Sequence, residues 1–126
     1  MENILIFGNP LIKIDNLILR ILPELKRAFQ KIKFIHLDPT ENIEKYGPEL
    51  TIIDVFHGIE KPLILDDLTK LKLPNVNSMH DFDLAYNLKL LMSVGKISST
   101  RIFGLPYDIN ENNAINWLKK VIPSSQ

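Results

Sequence analysis

Ile4-Leu5-Ile6-Phe7 is an unbroken apolar run, and Gly8-Asn9-Pro10 ends it abruptly. A short run without polar alternation suits a strand buried on both faces, as central parallel strands are. Glycine, asparagine and proline then favour a tight loop. From about Leu17 the apolar residues Ile18, Ile21, Leu22, Leu25 and Phe29 recur at helical spacing, so Asp15 or Asn16 stands where an N-cap belongs. A strand, loop and helix start in this order place Asp15 at the carboxyl end of a central strand. Open α/β sheets bind ligands at that edge.

The rest of the chain repeats this alternation. Lys31 to Leu37 reads as a second strand, ended by Asp38-Pro39-Thr40, with Thr40 placed to cap a short helical turn through Tyr46. Leu50-Thr51-Ile52-Ile53-Asp54-Val55-Phe56 reads as a third strand, and Pro62 to Leu65 as a shorter fourth. The link between the third and fourth is too short for a helical crossover, so this pair runs antiparallel if joined. Lys70 to Val76 reads as loop and His80 to Val94 as a helix with Gly95 as its C-cap. Thr100 to Leu105 reads as a fifth strand, stopped by Pro106, and Asn113 to Val121 as a last helix before Pro123. Strands alternating with helices argue a three-layer α/β/α sandwich. The 126 residues carry no linker, repeat or low-complexity tract, and form one expected domain over 1–126.

Composition narrows the function. Fifteen basic and fifteen acidic residues cancel, which gives no electrostatic case for a nucleic-acid or membrane-surface partner. The absence of cysteine removes disulfides, thiolate metal sites and a cysteine nucleophile. No apolar run approaches the roughly 20 residues of a membrane helix, and the start of the chain lacks the basic region of a signal peptide. A cytoplasmic protein is the expectation. The loop after the first strand lacks G-x-G-x-x-G, and Pro10 removes an N–H that a phosphate needs, so no organic cofactor is predicted there. There is no G-x-S-x-G elbow either.

Three polar residues stand out by position. Asp15 follows strand one, Asp54 closes the apolar stretch of strand three, and His80 opens the helix before strand five. If strands one and three are neighbours, right-handed crossovers let all three meet above the carboxyl edge. Two carboxylates and an imidazole suit zinc, nickel or a similar ion, and the same set suits acid–base chemistry. Each residue also has a plain structural role: a cap for Asp15, a solvated strand end for Asp54, a helix start for His80. His57, three residues after Asp54, is a further candidate, whereas His36 reads as structural.

The same residues carry a family resemblance. Gly8-Asn9-Pro10-Leu11 followed by Asp15 resembles the N-terminal signature of the hydrogenase maturation endopeptidases, G-N-x-L, two residues and an acidic pair. Leu50 to Asp54 resembles the family's apolar strand ending in Asp. Ser78-Met79-His80-Asp81-Phe82-Asp83-Leu84 resembles its S-x-H-x-x-x-L segment, and Phe103-Gly104-Leu105-Pro106 its late G-x-x-P strand end, shortened by one. The resemblance implies a five-stranded, mostly parallel mixed sheet in the order 2-1-3-5-4, with strand four antiparallel. It implies removal of a C-terminal extension from the large-subunit precursor of a nickel–iron hydrogenase after nickel insertion. Asp15, Asp54 and His80 would be the catalytic, metal-contacting residues, and the nickel would arrive with the precursor. A monomer acting on that nickel-loaded precursor is the partner arrangement implied. Ile14 departs from the acidic pair, and Asn16-Leu17-Ile18 replaces the usual glycines. That departure leaves a second reading open: a non-catalytic binding or assembly factor for the precursor on the same fold.

Overall fold

The computed structural model describes residues 3–7, 16–37, 41–56, 58–66 and 88–123. Its elements are β1 (Asn3–Phe7), α1 (Leu17–Ala28), β2 (Lys33–Leu37), a 3-10 helix (Ile43–Tyr46), β3 (Glu49–Phe56), β4 (Leu63–Leu65), β5 (Ser99–Pro106) and α2 (Glu111–Val121). Residues 88–93 are also helical.

The five strands form one mixed sheet in the order β2-β1-β3-β5-β4. β1 runs parallel to β2 and β3, and β3 parallel to β5; β4 alone is antiparallel, on β5. The order and the lone antiparallel strand are those the resemblance implies. β4 bonds to β5 and not to β3, so the short third-to-fourth connection crosses over β5 to the edge.

Pleating divides the apolar residues of each strand between two cores. On one face Ile4, Ile6, Ile53, Val55, Phe103 and Leu105 pack under α1 and α2, through Ile18, Ile21, Leu25, Ala114 and Leu118. On the other, Leu5, Phe7, Ile52, Phe56 and Ile102 pack against Ile43 of the 3-10 helix and against Leu88, Leu91 and Ile97. This is the three-layer sandwich that the alternating elements predict. Continuous apolar runs in β1 and β3 exist because both faces are covered.

Local chemistry fixes the element ends. The last helical turn of residues 88–93 closes with Gly95 at φ +80. There the Gly95 N–H donates to the Met92 carbonyl (3.1 Å) and the Lys96 N–H to the Leu91 carbonyl (2.9 Å). These two bonds make a Schellman cap, as expected of a glycine at this position. The rest of the His80–Val94 reading lies outside the described residues. α2 begins two residues earlier than its apolar pattern suggests, because Asn110 Oδ1 accepts from the N–H groups of Asn112 (2.8 Å) and Asn113 (3.3 Å). β2 begins at Lys33 rather than Lys31, since the Ile32 N–H donates to the Phe29 carbonyl (3.1 Å) and spends those residues on a turn. Asn16 takes the N-cap position of α1, but its side chain makes no cap bond; Oδ1 accepts from Arg20 instead. Thr40 lies outside the described residues, and Asn42 precedes the 3-10 helix.

Candidate functional site

The strand order reverses direction at one place. From β1 the chain moves outward to β2, and then returns past β1 to β3. The carboxyl edge between β1 and β3 is therefore the topological switch point, where connections depart in opposite directions and leave room for a ligand. Ile6 pairs with Ile53 across these strands. Asp54 is the next residue of β3.

Asp54 is 1% exposed in a strand whose other residues from Ile52 to Phe56 are all buried and apolar. Alternation along β3 turns it toward the face shared by Ile52 and Phe56. Its Oδ1 accepts a hydrogen bond from the Val55 N–H at 2.9 Å. Burying a carboxylate costs free energy that an apolar side chain of similar size would not. A carboxyl group buried at such a position, at the edge where open α/β sheets bind ligands, is a candidate functional group.

The neighbour of Asp54 on β5 is Gly104. A Cβ built on Gly104 would stand 2.6 Å from both Cδ2 and Cε2 of Phe56 and 3.1 Å from Cδ1 of Leu63. The Phe56 ring thus fills the space above Gly104, on the same face as Asp54. Phe56 is itself 5% exposed, so an apolar wall stands beside the carboxylate on the β5 side. Nothing in the local pattern of β5 announces this: the glycine makes sense only once the register sets it opposite residue 54.

Asp15, His80 and His57 lie outside the described residues, as does the loop from Gly8. Of the predicted triad Asp54 alone is placed by the structure. Among the described residues no group of three His, Asp or Glu side chains is arranged to hold a metal ion. His36 is exposed on β2. The glycine-replacing residues at the start of α1 point inward: Leu17 and Ile18 are 0% exposed and belong to the core under the sheet.

A second feature of the carboxyl edge escaped the sequence reading. Beyond the end of β5 a groove of about 480 Å³ opens between the β3–β4 connection and the start of α2. Glu60, Asp108 and Trp117 are among the residues lining it. Asp108 and Asn110 after Pro106 signal a loop and a cap, but Glu60 is brought there only by the fold.

No family profile matches the chain, and no curated protein matches it in sequence. Among solved structures it is similar to the hydrogenase maturating endopeptidase HybD from E. coli, with a TM-score of 0.59 and 19% identity. That match covers 95% of this chain and 86% of the other. The chain has the fold of that endopeptidase. The likeness is one of fold, as the resemblance of the sequence motifs leads one to expect. Among the described residues no helix is long and apolar enough to cross a membrane.

Proposed function

We propose that the chain is an endopeptidase that removes the C-terminal extension of a nickel–iron hydrogenase large-subunit precursor. On this reading Asp15, Asp54 and His80 contact nickel carried by the precursor, and the cytoplasm is where a monomer of the protein meets it. One observation carries the reading: a buried carboxylate, Asp54, stands at the switch-point edge of a fold shared with a hydrogenase maturating endopeptidase.

The chemistry of the set supports it. Two carboxylates and one imidazole give three ligands to an ion, which leaves positions for groups of the substrate. An ion held jointly by enzyme and precursor fixes the scissile region in one register, and most of the benefit of such anchoring is positional. A carbonyl polarised by the ion, or a water bound to it, is the reacting group that metal-ion catalysis allows. Asp54 is buried, and a drier surrounding strengthens the hold of a carboxylate on a cation.

The test is incubation of the purified protein with a nickel-loaded precursor and mass spectrometry of the product. Loss of a C-terminal peptide at a single position is the expected result. Stable binding without cleavage would select the assembly-factor reading, for which the Ile14 departure is the sequence argument. Neither binding nor cleavage would refute both.

A further inference from the structure

We infer that the groove beyond β5 holds a lysine or arginine side chain of the polypeptide that the Asp54 site acts on, an inference that rests on the endopeptidase reading. The groove has two kinds of wall. Pro62, Pro106 and Trp117 give apolar surface, while Glu60 and Asp108 are carboxylates. Among the described residues no lysine or arginine lines it. The chain as a whole is neutral, with fifteen residues of each sign, so the local acidity belongs to the groove rather than to the composition.

That combination matches a long cationic side chain, whose stem packs on apolar walls while its head stays with charge and water. An indole face also attracts a cation directly. Trp117 is held in place by an edge-on contact with the buried Phe103, with ring centres 6.1 Å apart at 78°. An anion is the competing ligand, because α2 starts at the groove and a helix start carries roughly half a positive charge. Two facts decide against it. Asn110 Oδ1 already takes the N–H groups of Asn112 and Asn113. The two carboxylates outweigh the residual dipole, and an anion would have to sit among them.

The groove is also within reach of the proposed cleavage site. Pro106 pairs with Phe56, two residues past Asp54, or about 7 Å along the strand at roughly 3.3 Å per residue. Trp117 packs with the α1–α2 side of the sheet whereas Asp54 faces the other. An extended chain crossing the carboxyl edge can touch both, with the basic residue a few positions from the point of anchorage.

Trp117 is the chain's single tryptophan, so its fluorescence reports on the groove alone. The probe is the blocked pentapeptide Gly-Ala-Lys-Ala-Gly, compared with its arginine and norleucine counterparts. Lysine and arginine peptides should give saturable changes in Trp117 emission. The norleucine peptide should bind weaker by about fivefold or more, and the Glu60→Gln/Asp108→Asn double variant, with unchanged circular dichroism, should lose the preference. Equal binding of the norleucine peptide, unaltered preference in the double variant, or no saturable response up to about 10 mM would overturn the inference. No precursor, nickel or cleavage enters this assay. Its failure removes the basic-residue groove and leaves the endopeptidase reading to the processing test, while failed processing with intact lysine selectivity removes only the latter.

Discussion

Gly104→Ala should destabilise the protein through one identifiable collision. The added methyl carbon would sit 2.6 Å from two ring atoms of Phe56, about 1 Å inside the separation at which carbon pairs are most stable. Leu63, 3.1 Å away at the tip of a side chain on the edge strand, can yield by a few tenths of an ångström. Phe56 cannot yield as cheaply, because it is 5% exposed and packed in the core with Ile52 and Ile102. Overpacking of this kind costs about 1–3 kcal/mol. Reduced freedom of the unfolded chain returns about 0.4–1 kcal/mol. The net loss is about 1–2 kcal/mol, or a fall in Tm of roughly 3–10 °C for a domain of this size. Urea and thermal unfolding followed by circular dichroism measure it. The decisive comparison is the same substitution in a Phe56→Ala background, where the ring is gone and Gly104→Ala should cost almost nothing. A coupling of about 1 kcal/mol or more between the two positions is expected. Equal cost in both backgrounds, or no cost in the parent, would refute the packing argument.

Other perturbations give further outcomes. Asp54→Asn keeps the acceptor that receives the Val55 N–H, so unfolding curves should shift by no more than about 1 kcal/mol while precursor processing is lost; a protein that unfolds instead would make Asp54 a structural residue. Asn110→Ala removes the cap of α2 and should cost about 1 kcal/mol in urea unfolding, within the usual range of about 0.5–2. Arg20→Ala breaks an ion pair with Glu111 that is 3.1 Å long but 36% and 52% exposed, and the same measurement should show a change below about 1 kcal/mol. Gly95→Ala places a side chain at φ +80 and should cost roughly 1–2 kcal/mol, although nothing crowds the site.

The layers of this fold are legible in the sequence because burial writes itself into periodicity. Ile4 to Phe7 and Ile52 to Phe56 lack polar alternation since helices cover both faces, and Gly95 marks a helix end by its left-handed backbone. Strand order came from the motif resemblance, since no local pattern says that β4 pairs with β5. The site was legible in part. Asp54 stands out as a carboxylate within an apolar run, and the structure buries it rather than leaving it as a solvated strand end. The importance of Gly104 lies in its register against Asp54 and in the ring of Phe56, which are relations between strands. The groove at Trp117 is assembled from two connections some fifty residues apart in sequence, Glu60 and Asp108, so no window of the chain contains it. Leu17 and Ile18, which stand where the family resemblance leads one to expect glycines, are core residues of the first turn of α1.

The central claim is that Asp54 acts with Asp15 and His80 on nickel brought by a precursor. It is tested most directly by following the cleavage of matched nickel-loaded and nickel-free precursor by the parent protein and by Asp15→Ala, Asp54→Asn and His80→Ala. Nickel-dependent cleavage by the parent is expected, with a loss of about a hundredfold or more in each variant and the largest loss for His80→Ala, since imidazole suits nickel better than carboxylate does. Equal cleavage of nickel-free precursor, or full activity in any of the folded variants, would contradict the claim.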